Sequence, residues 1–381
     1  MRPIVFMADP HLGKFWKSNN SVFSRAKKLI DYFVLNLEEA SRLYNRPHLV
    51  ILGDMFDSVS ANIEMLVYIK HKLTKLYNLF QDIYVIAGNH ETFIDKEGVQ
   101  QTLLYVALDT NRVHLYTSRV AHECIEGKNF IFVPHQTEIE DKLKNDVPLH
   151  LNRNMSNILL SHTTPKEIFS YCKYSLNELL DSYPCKMEYV LLGHYHMPVD
   201  YTYKGCKVIS VGNMYYTSIA EIKSDLTKRY MVLNEDGKLI EHDIVLPDVY
   251  KFEVLDQTMF DNVVLKQIKE QIRSNTKAII YITSKNIIDY SSLTFEGYDV
   301  YFDLVESAEE ALITLKESIS GDVDLGTSGT LTDRWNKYLE MLSGNLSTNE
   351  LHTINWLFNH RTSSQIEPKT VVHQLQEGKD E

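Results

Sequence analysis

Ile4-Val5-Phe6-Met7-Ala8-Asp9-Pro10-His11 is an apolar run that stops at a carboxylate and an imidazole. Alternation along a strand puts residues i and i+2 on one side, so Asp9 and His11 can address one cation. The same device recurs four more times. Leu49-Val50-Ile51-Leu52 runs into Gly53-Asp54-Met55-Phe56-Asp57, and Ile83-Tyr84-Val85-Ile86-Ala87 into Gly88-Asn89-His90-Glu91. Ile158-Leu159-Leu160-Ser161 runs into His162, and Tyr189-Val190-Leu191-Leu192 into Gly193-His194-Tyr195-His196. Buried strands of an α/β sheet gather ligands at their carboxyl ends, where loops leave the core. A lone Asp-x-His is usually a turn after a strand, but five such endings in one order make a strong signal.

Working outward, the intervals read as helices. Val22, Ala26, Leu29, Ile30, Phe33, Leu37, Ala40 and Tyr44 recur at three- and four-residue spacing, as do Leu66, Ile69, Leu73, Leu76 and Phe80. Strand, helix, strand, helix, strand implies parallel crossover units. Thr164-Pro165-Lys166-Glu167 has the cap, first-turn proline and returning glutamate of a helix start, and Ser175-Leu176-Asn177-Glu178 repeats the capping box. Residues 113–134 suit an antiparallel hairpin turning at Gly127. Further strands at 207–211 and 230–233, the latter followed by an Asn234-Glu235-Asp236-Gly237 turn, bring a first domain to 1–247. Residues 248–306 read as a small α+β domain without a ligand cluster. Residues 307–381 read as helices interrupted by a Gly, Asp and Ser linker at 321–329, with a polar tail. The apolar stripe Leu331, Trp335, Tyr338, Leu339 and Leu342 suits either its own core or a partner.

The 381 residues, 44% hydrophobic and 24% charged, are those of a globular chain of two or three domains. Four cysteines without Cys-x-x-Cys spacing indicate neither a disulfide framework nor a thiolate zinc site, and a reducing compartment is expected. The first apolar run is too short for a signal peptide and no stretch is long enough to cross a membrane, so a cytoplasmic protein is expected. The net charge of −12 argues against holding nucleic acid by bulk electrostatics alone. It leaves room for a phosphate drawn by cations. Carboxylates, imidazoles and one amide oxygen suit Mn²⁺, Fe²⁺ or Zn²⁺ better than Ca²⁺.

The set Asp9-x-His11, Gly53-Asp54-x-x-Asp57, Gly88-Asn89-His90-Glu91, His162 and Gly193-His194-x-His196 resembles the five motifs of the calcineurin-like metallophosphoesterases. Those motifs span about residues 1–215. Within that superfamily the chain resembles the SbcD-type nuclease subunits of SbcC–SbcD-like break-processing complexes, in a bacterial or phage form. This second likeness rests on the α+β unit after the core and on the terminal helices. The resemblance implies an α/β fold, a four-layer αββα sandwich with a capping domain at 248–306 and an ATPase-binding segment at 307–381. It implies an exonuclease and endonuclease acting on DNA with two divalent ions, Mn²⁺ foremost, beside a coiled-coil ATPase and with a second copy as a further possible partner. Asp9, His11, Asp54 and His196 would hold one ion, and Asp54, Asn89, His162 and His194 the other, with Asp54 shared. A pair of ions ~3.5–4 Å apart lowers the pKa of a bridging water, and that hydroxide would be the nucleophile. His90 would stabilise the developing charge or protonate the leaving oxygen, with the Asp57 carboxylate orienting it. Asp57 also stands where it can cap a helix beginning near Ala61.

Two other classes fit parts of the pattern. A phosphoprotein phosphatase or small-molecule phosphodiesterase shares the Gly-Asn-His-Glu motif. Against it, Ser58 and Val59 stand where those phosphatases carry arginine and glycine, and about 130 residues follow the core. A scaffold that kept the fold and lost its metals is disfavoured, because every ligand position is filled. His135, after Val133-Pro134 at a strand end, can face the site but reads rather as a surface loop residue, and Tyr215 and Tyr216 read as packing residues with stacking on a base as the alternative.

Overall fold

A computed structural model describes residues 1–13, 22–58, 63–94, 100–109, 111–217, 221–222, 227–274, 279–284 and 299–304. The expected terminal helices at 307–381 and a helix start near Ala61 lie outside the described residues.

Two six-stranded sheets form the body. The first runs, in spatial order, Leu239–Asp243, Arg229–Leu233, Ile4–Met7, His48–Leu52, Ile83–Ile86 and His114–Tyr116. Its last four strands are parallel, as the helical crossovers Val22–Leu43 and Ile63–Leu76 require. The second runs Val199–Tyr203, Cys206–Ser210, Met187–Gly193, Asn157–His162, Lys128–Val133 and Ala121–Ile125, parallel inside and antiparallel at both edges.

Strand alternation sorts the side chains into layers. Ile4, Phe6, Val50, Leu52 and Ile86 pack against Phe130, Phe132, Ile158, Leu160 and Leu191, filling the space between the sheets. Val5, Met7, Leu49, Ile51 and Val85 face the other way, onto Ile30, Phe33, Leu37, Ile69 and Leu73 of the two long helices. On the far side, Ile131, Leu159, Val190 and Leu192 meet Leu143, Val147, Leu176 and Leu179. Helix, sheet, sheet, helix is therefore the layer order, and strands buried on both faces explain the unbroken apolar runs.

Two local expectations change. Residues 113–134 do not form one hairpin: His114–Tyr116 joins the first sheet, and only Ala121–Ile125 and Lys128–Val133 pair as a hairpin, in the second. The cap pattern at Thr164 starts only turns, closed by the Ile168 and Phe169 amides donating to the Pro165 carbonyl. Glu167, whose role there would be to return to the cap, instead accepts from the Leu176 amide at 3.0 Å and the Asn177 amide at 3.3 Å. It thus serves the N-terminus of the next helix, Leu176–Ser182, whose Ser175 cap accepts from the Glu178 amide.

Beyond the sandwich, Val249–Val254, Ile279–Ser284 and Asp299–Leu304 form a three-stranded parallel sheet. Ile279 and Tyr281 of this sheet pack with Leu29, Tyr215 and Ile222. Tyr215 is buried there, which excludes base stacking for it.

Candidate metal centre

The five apolar strands end side by side, and the loops that leave them are tied together. The His11 amide donates to the Asp54 carbonyl at 2.9 Å and the Leu12 amide to Met55 at 2.8 Å, so the first two ligand loops form one ribbon. The His90 amide donates to Asp54 Oδ1 at 2.9 Å, and the His194 amide to Asp9 Oδ2 at 2.9 Å. Asp9, His11, Asp54 and His194 have φ of 48°, 46°, 45° and 84°. Such left-handed conformations cost of order 1–3 kcal/mol each outside glycine, and here neighbouring loops hold them.

Glycine precedes ligands for a steric reason. Gly53 has φ of 87°, and a Cβ there would overlap the His162 ring. A Cβ on Gly88 would overlap the Asp54 carboxylate and amide. The Asp54 and Asn89 loops can approach only because these side chains are missing.

The structure brings all nine residues singled out from the sequence to this point. Ligand atoms of Asp9, His11 and Asp54 lie within 4.8 Å of one another, and His196 Nε2 is 3.0 Å from His11 Nε2. Asp54, His162 and His194 form a second such group, joined by Asn89 Oδ1 at 3.1 Å from His162 Nε2 and 2.9 Å from His194 Nδ1. Asp54 belongs to both. Imidazole nitrogens converging on carboxylate and amide oxygens suit borderline divalent ions. The His162 Nδ1 proton goes to the Leu52 carbonyl at 2.8 Å, leaving Nε2 to face Asp54 Oδ2 at 3.2 Å.

His90 and Asp57 require a correction. The His90 Nδ1 proton is taken by the backbone carbonyl of Asp57 at 2.7 Å, whereas the Asp57 carboxylate is 3.9 Å away. That carboxylate lies closer to His11 Nδ1, at 3.3 Å. Asp57 therefore orients His90 through its main chain, while its carboxylate stands beside His11 Nδ1, which makes no hydrogen bond among the described residues.

Charge couples the cluster. Burial resists ionisation of His162, yet the Asp54 and Asp9 carboxylates push it up to about 10. Asp54 is itself held below the usual carboxylate range, burial being outweighed chiefly by His162. Asp9 is raised because burial outweighs the same imidazoles. Loss of water and the charge on His162 push His194 down to about 4.

Two features escaped the sequence reading and a third was ranked too low. His135 is half-buried and faces the site, the reading ranked second from the sequence: its ring centroid lies 6.1 Å from those of both His162 and His194, and burial and His162 lower its pKa. The signal was there, since it too follows an apolar strand, one paired in parallel with Asn157–His162. Glu91 is fully buried, accepts from the Gly88 amide at 2.9 Å and the Met55 amide at 3.4 Å, and is pushed up to about 8 by burial and by Asp54. Lastly, a buried group of Asn213, Thr217, Glu221 and Lys228 backs His196. No spacing betrays it.

The model for the calcineurin-like phosphoesterase family matches residues 2–198, just over half of the chain. The chain belongs to that family. Over 194 residues, 51% of its length, this phosphoesterase is 25% identical to the DNA double-strand break repair protein Mre11 of Methanosarcina acetivorans. The match covers 30% of that protein, so the phosphoesterase corresponds to under a third of the relative's length. Two solved structures are similar at low scores. One is an archaeal phosphodiesterase (TM-score 0.33, 13% identity, 63% of this chain and 99% of that one). The other is the phosphopantetheinyl hydrolase PptH of Mycobacterium tuberculosis (0.35, 14%, 64% and 96%). Among the described residues no helix is long and apolar enough to cross a membrane.

Proposed function

We propose that this phosphoesterase is a two-metal DNA phosphodiesterase, acting as exonuclease and endonuclease in a break-processing complex with an SbcC-type coiled-coil ATPase. The observation that carries the chemistry is the pair of donor sets sharing Asp54, with His90 beside them. The match to a break repair protein supports DNA as the substrate.

Two divalent ions, Mn²⁺ foremost, supply Lewis-acid activation of water and neutralise charge at the phosphate when bound. The chain's own residues do the rest. Asp9, His11 and His196 would hold one ion and Asn89, His162 and His194 the other, with Asp54 available to both sets. His90, its Nδ1 proton fixed on the Asp57 carbonyl, presents Nε2 on the open side of the cluster, 3.9 Å from Asp54 Oδ2. From there the imidazolium form would give its Nε2 proton to the leaving oxygen and keep the Nδ1 proton on the carbonyl, a contribution worth about 10²–10⁴-fold.

In the same reading residues 248–306 cap the DNA and residues 307–381 dock the ATPase. The exposure of Ile63 and Val67 on the helix Ile63–Leu76 supports a face for a second copy. A cytoplasmic setting belongs to the same proposal.

The test is cleavage of end-labelled double- and single-stranded DNA by the full chain with Mn²⁺, beside His90→Ala and bis(p-nitrophenyl) phosphate. DNA cleavage that is lost in the variant while Mn²⁺ still binds is the expected result. Hydrolysis of the small ester with DNA untouched, alone and with the ATPase added, would overturn DNA as substrate and favour a small phosphodiester.

A further inference from the structure

The orientation of His196 depends on residues outside the five strand-end motifs, 21 and 25 positions further along the chain. Its Nδ1 lies 2.9 Å from Thr217 Oγ1 and 3.3 Å from Glu221 Oε1, while Nε2 faces His11 Nε2 at 3.0 Å. Thr217 has one hydroxyl proton, and its short contact of 2.6 Å to Glu221 Oε1 uses it. Asn213 Nδ2 also donates to Thr217 Oγ1, at 3.0 Å. With its proton committed to the carboxylate, the hydroxyl can only accept from His196. Among the described residues the two groups facing Nδ1, Thr217 Oγ1 and Glu221 Oε1, are then acceptors, so Nδ1 carries the proton and Nε2 keeps its lone pair.

Glu221 is what fixes this direction. It accepts from Asn213 Nδ2 and from the Thr217 amide at 3.1 Å, and Lys228 Nζ donates to its Oε2 at 2.6 Å. Lys228 also donates to Asn213 Oδ1, and its side chain is wholly buried. It stands next to Arg229, the first residue of the strand Arg229–Leu233, which pairs with Ile4–Met7, the strand leading to Asp9. A buried lysine and glutamate are expensive to desolvate and are tolerated where they are fully hydrogen-bonded. Two hydrophobic residues would fill the space without aiming anything.

We infer that Glu221, held by Lys228 and relayed through Thr217, is the positioning residue that sets the tautomer and aim of His196 for its metal. The inference rests on the metal reading of the site. Its first readout is therefore taken on metal-free protein, so that the two can fail separately.

The experiment compares the full chain with Glu221→Gln, Thr217→Val and Thr217→Ser. Long-range ¹H–¹⁵N spectra of the metal-free proteins report the His196 tautomer, and calorimetric titration with Mn²⁺ reports affinity. The native chain is expected to show His196 protonated at Nδ1. Thr217→Val is expected to lose that single tautomer and to bind one Mn²⁺ roughly 10–100-fold more weakly, the usual effect of removing an outer-shell partner. Thr217→Ser, which restores the hydroxyl, should recover both readouts. Glu221→Gln, which no longer pairs with Lys228, should resemble Thr217→Val; should it fail to fold, the valine and serine variants decide. Native tautomer and native affinity in a folded Thr217→Val would overturn the inference. A tautomer change in a chain that binds no Mn²⁺ would support the positioning of His196 and sink the metal reading instead.

Discussion

His162 ties metal loading to protons. Buried beside two carboxylates and pushed up to about 10, it is protonated at neutral pH in the metal-free chain. A ligating imidazole must be neutral, so loading expels that proton, whereas His194, at about 4, has none to lose. Affinity should therefore rise with pH, about tenfold per unit below pH 10 for one displaced proton. Calorimetry at pH 7.5 in buffers of different ionisation enthalpy should show proton release, and a buffer-independent heat would refute it. The two roles of Asp57 also separate by experiment. Asp57→Ala keeps the carbonyl that holds His90 and removes the carboxylate beside His11 Nδ1. It should weaken Mn²⁺ binding while sparing turnover at saturating metal. His90→Ala should do the reverse, costing about 10²–10⁴ in turnover of a phosphodiester with affinity unchanged. Equal effects of both variants on both readouts would show that the pair acts as one unit.

The strand ends, more than any single ligand, make the cluster compact. Gly53→Ala would impose a left-handed alanine, costing about 1–2 kcal/mol, and press its methyl on the His162 ring. Overpacking adds about 1–3 kcal/mol. Thermal unfolding should show a lowered Tm, with Mn²⁺ binding weakened because His162 is the group displaced; an unchanged Tm would mean the loop relaxes freely. The same elements show what a sequence discloses. The strands and their ligands were legible because apolar runs buried on both faces and the abrupt polar residues after them are local signals. The long helices were legible from periodicity. The Thr164 helix misled because a capping box is read within four residues, and the Glu167 carboxylate answers to a helix nine residues on. Asp57 misled because a side chain is visible in a sequence and a main-chain carbonyl is not. Glu221 and Lys228 were illegible: their meaning lies in the contacts that Thr217 and Glu221 make with His196, 21 and 25 residues earlier in the chain.

The three-stranded sheet beyond residue 247 bears on the metal centre although it contributes no ligand. Its Ile279 and Tyr281 cover Leu29, Tyr215 and Ile222, and Tyr215 sits between Asn213 and Thr217, with Ile222 next to Glu221. The residues that aim His196 are thus flanked by side chains whose burial depends on the sheet. Each such side chain loses about 1.5–3 kcal/mol of burial when it is uncovered. A chain ending at Pro247 should therefore melt at lower temperature than one ending at residue 305, by several degrees, since about 1 kcal/mol moves Tm by ~2–4 °C or less at this size. It should also bind Mn²⁺ more weakly at one site, because Tyr215 and Ile222, neighbours in sequence of the residues that contact His196, lose their cover. Tyr281→Ala in the full chain isolates the second effect, trimming the cover without removing the sheet. Were both chains to melt together and bind Mn²⁺ alike, the sheet would be an independent module, and the ordering of His196 would come from the buried lysine and glutamate alone.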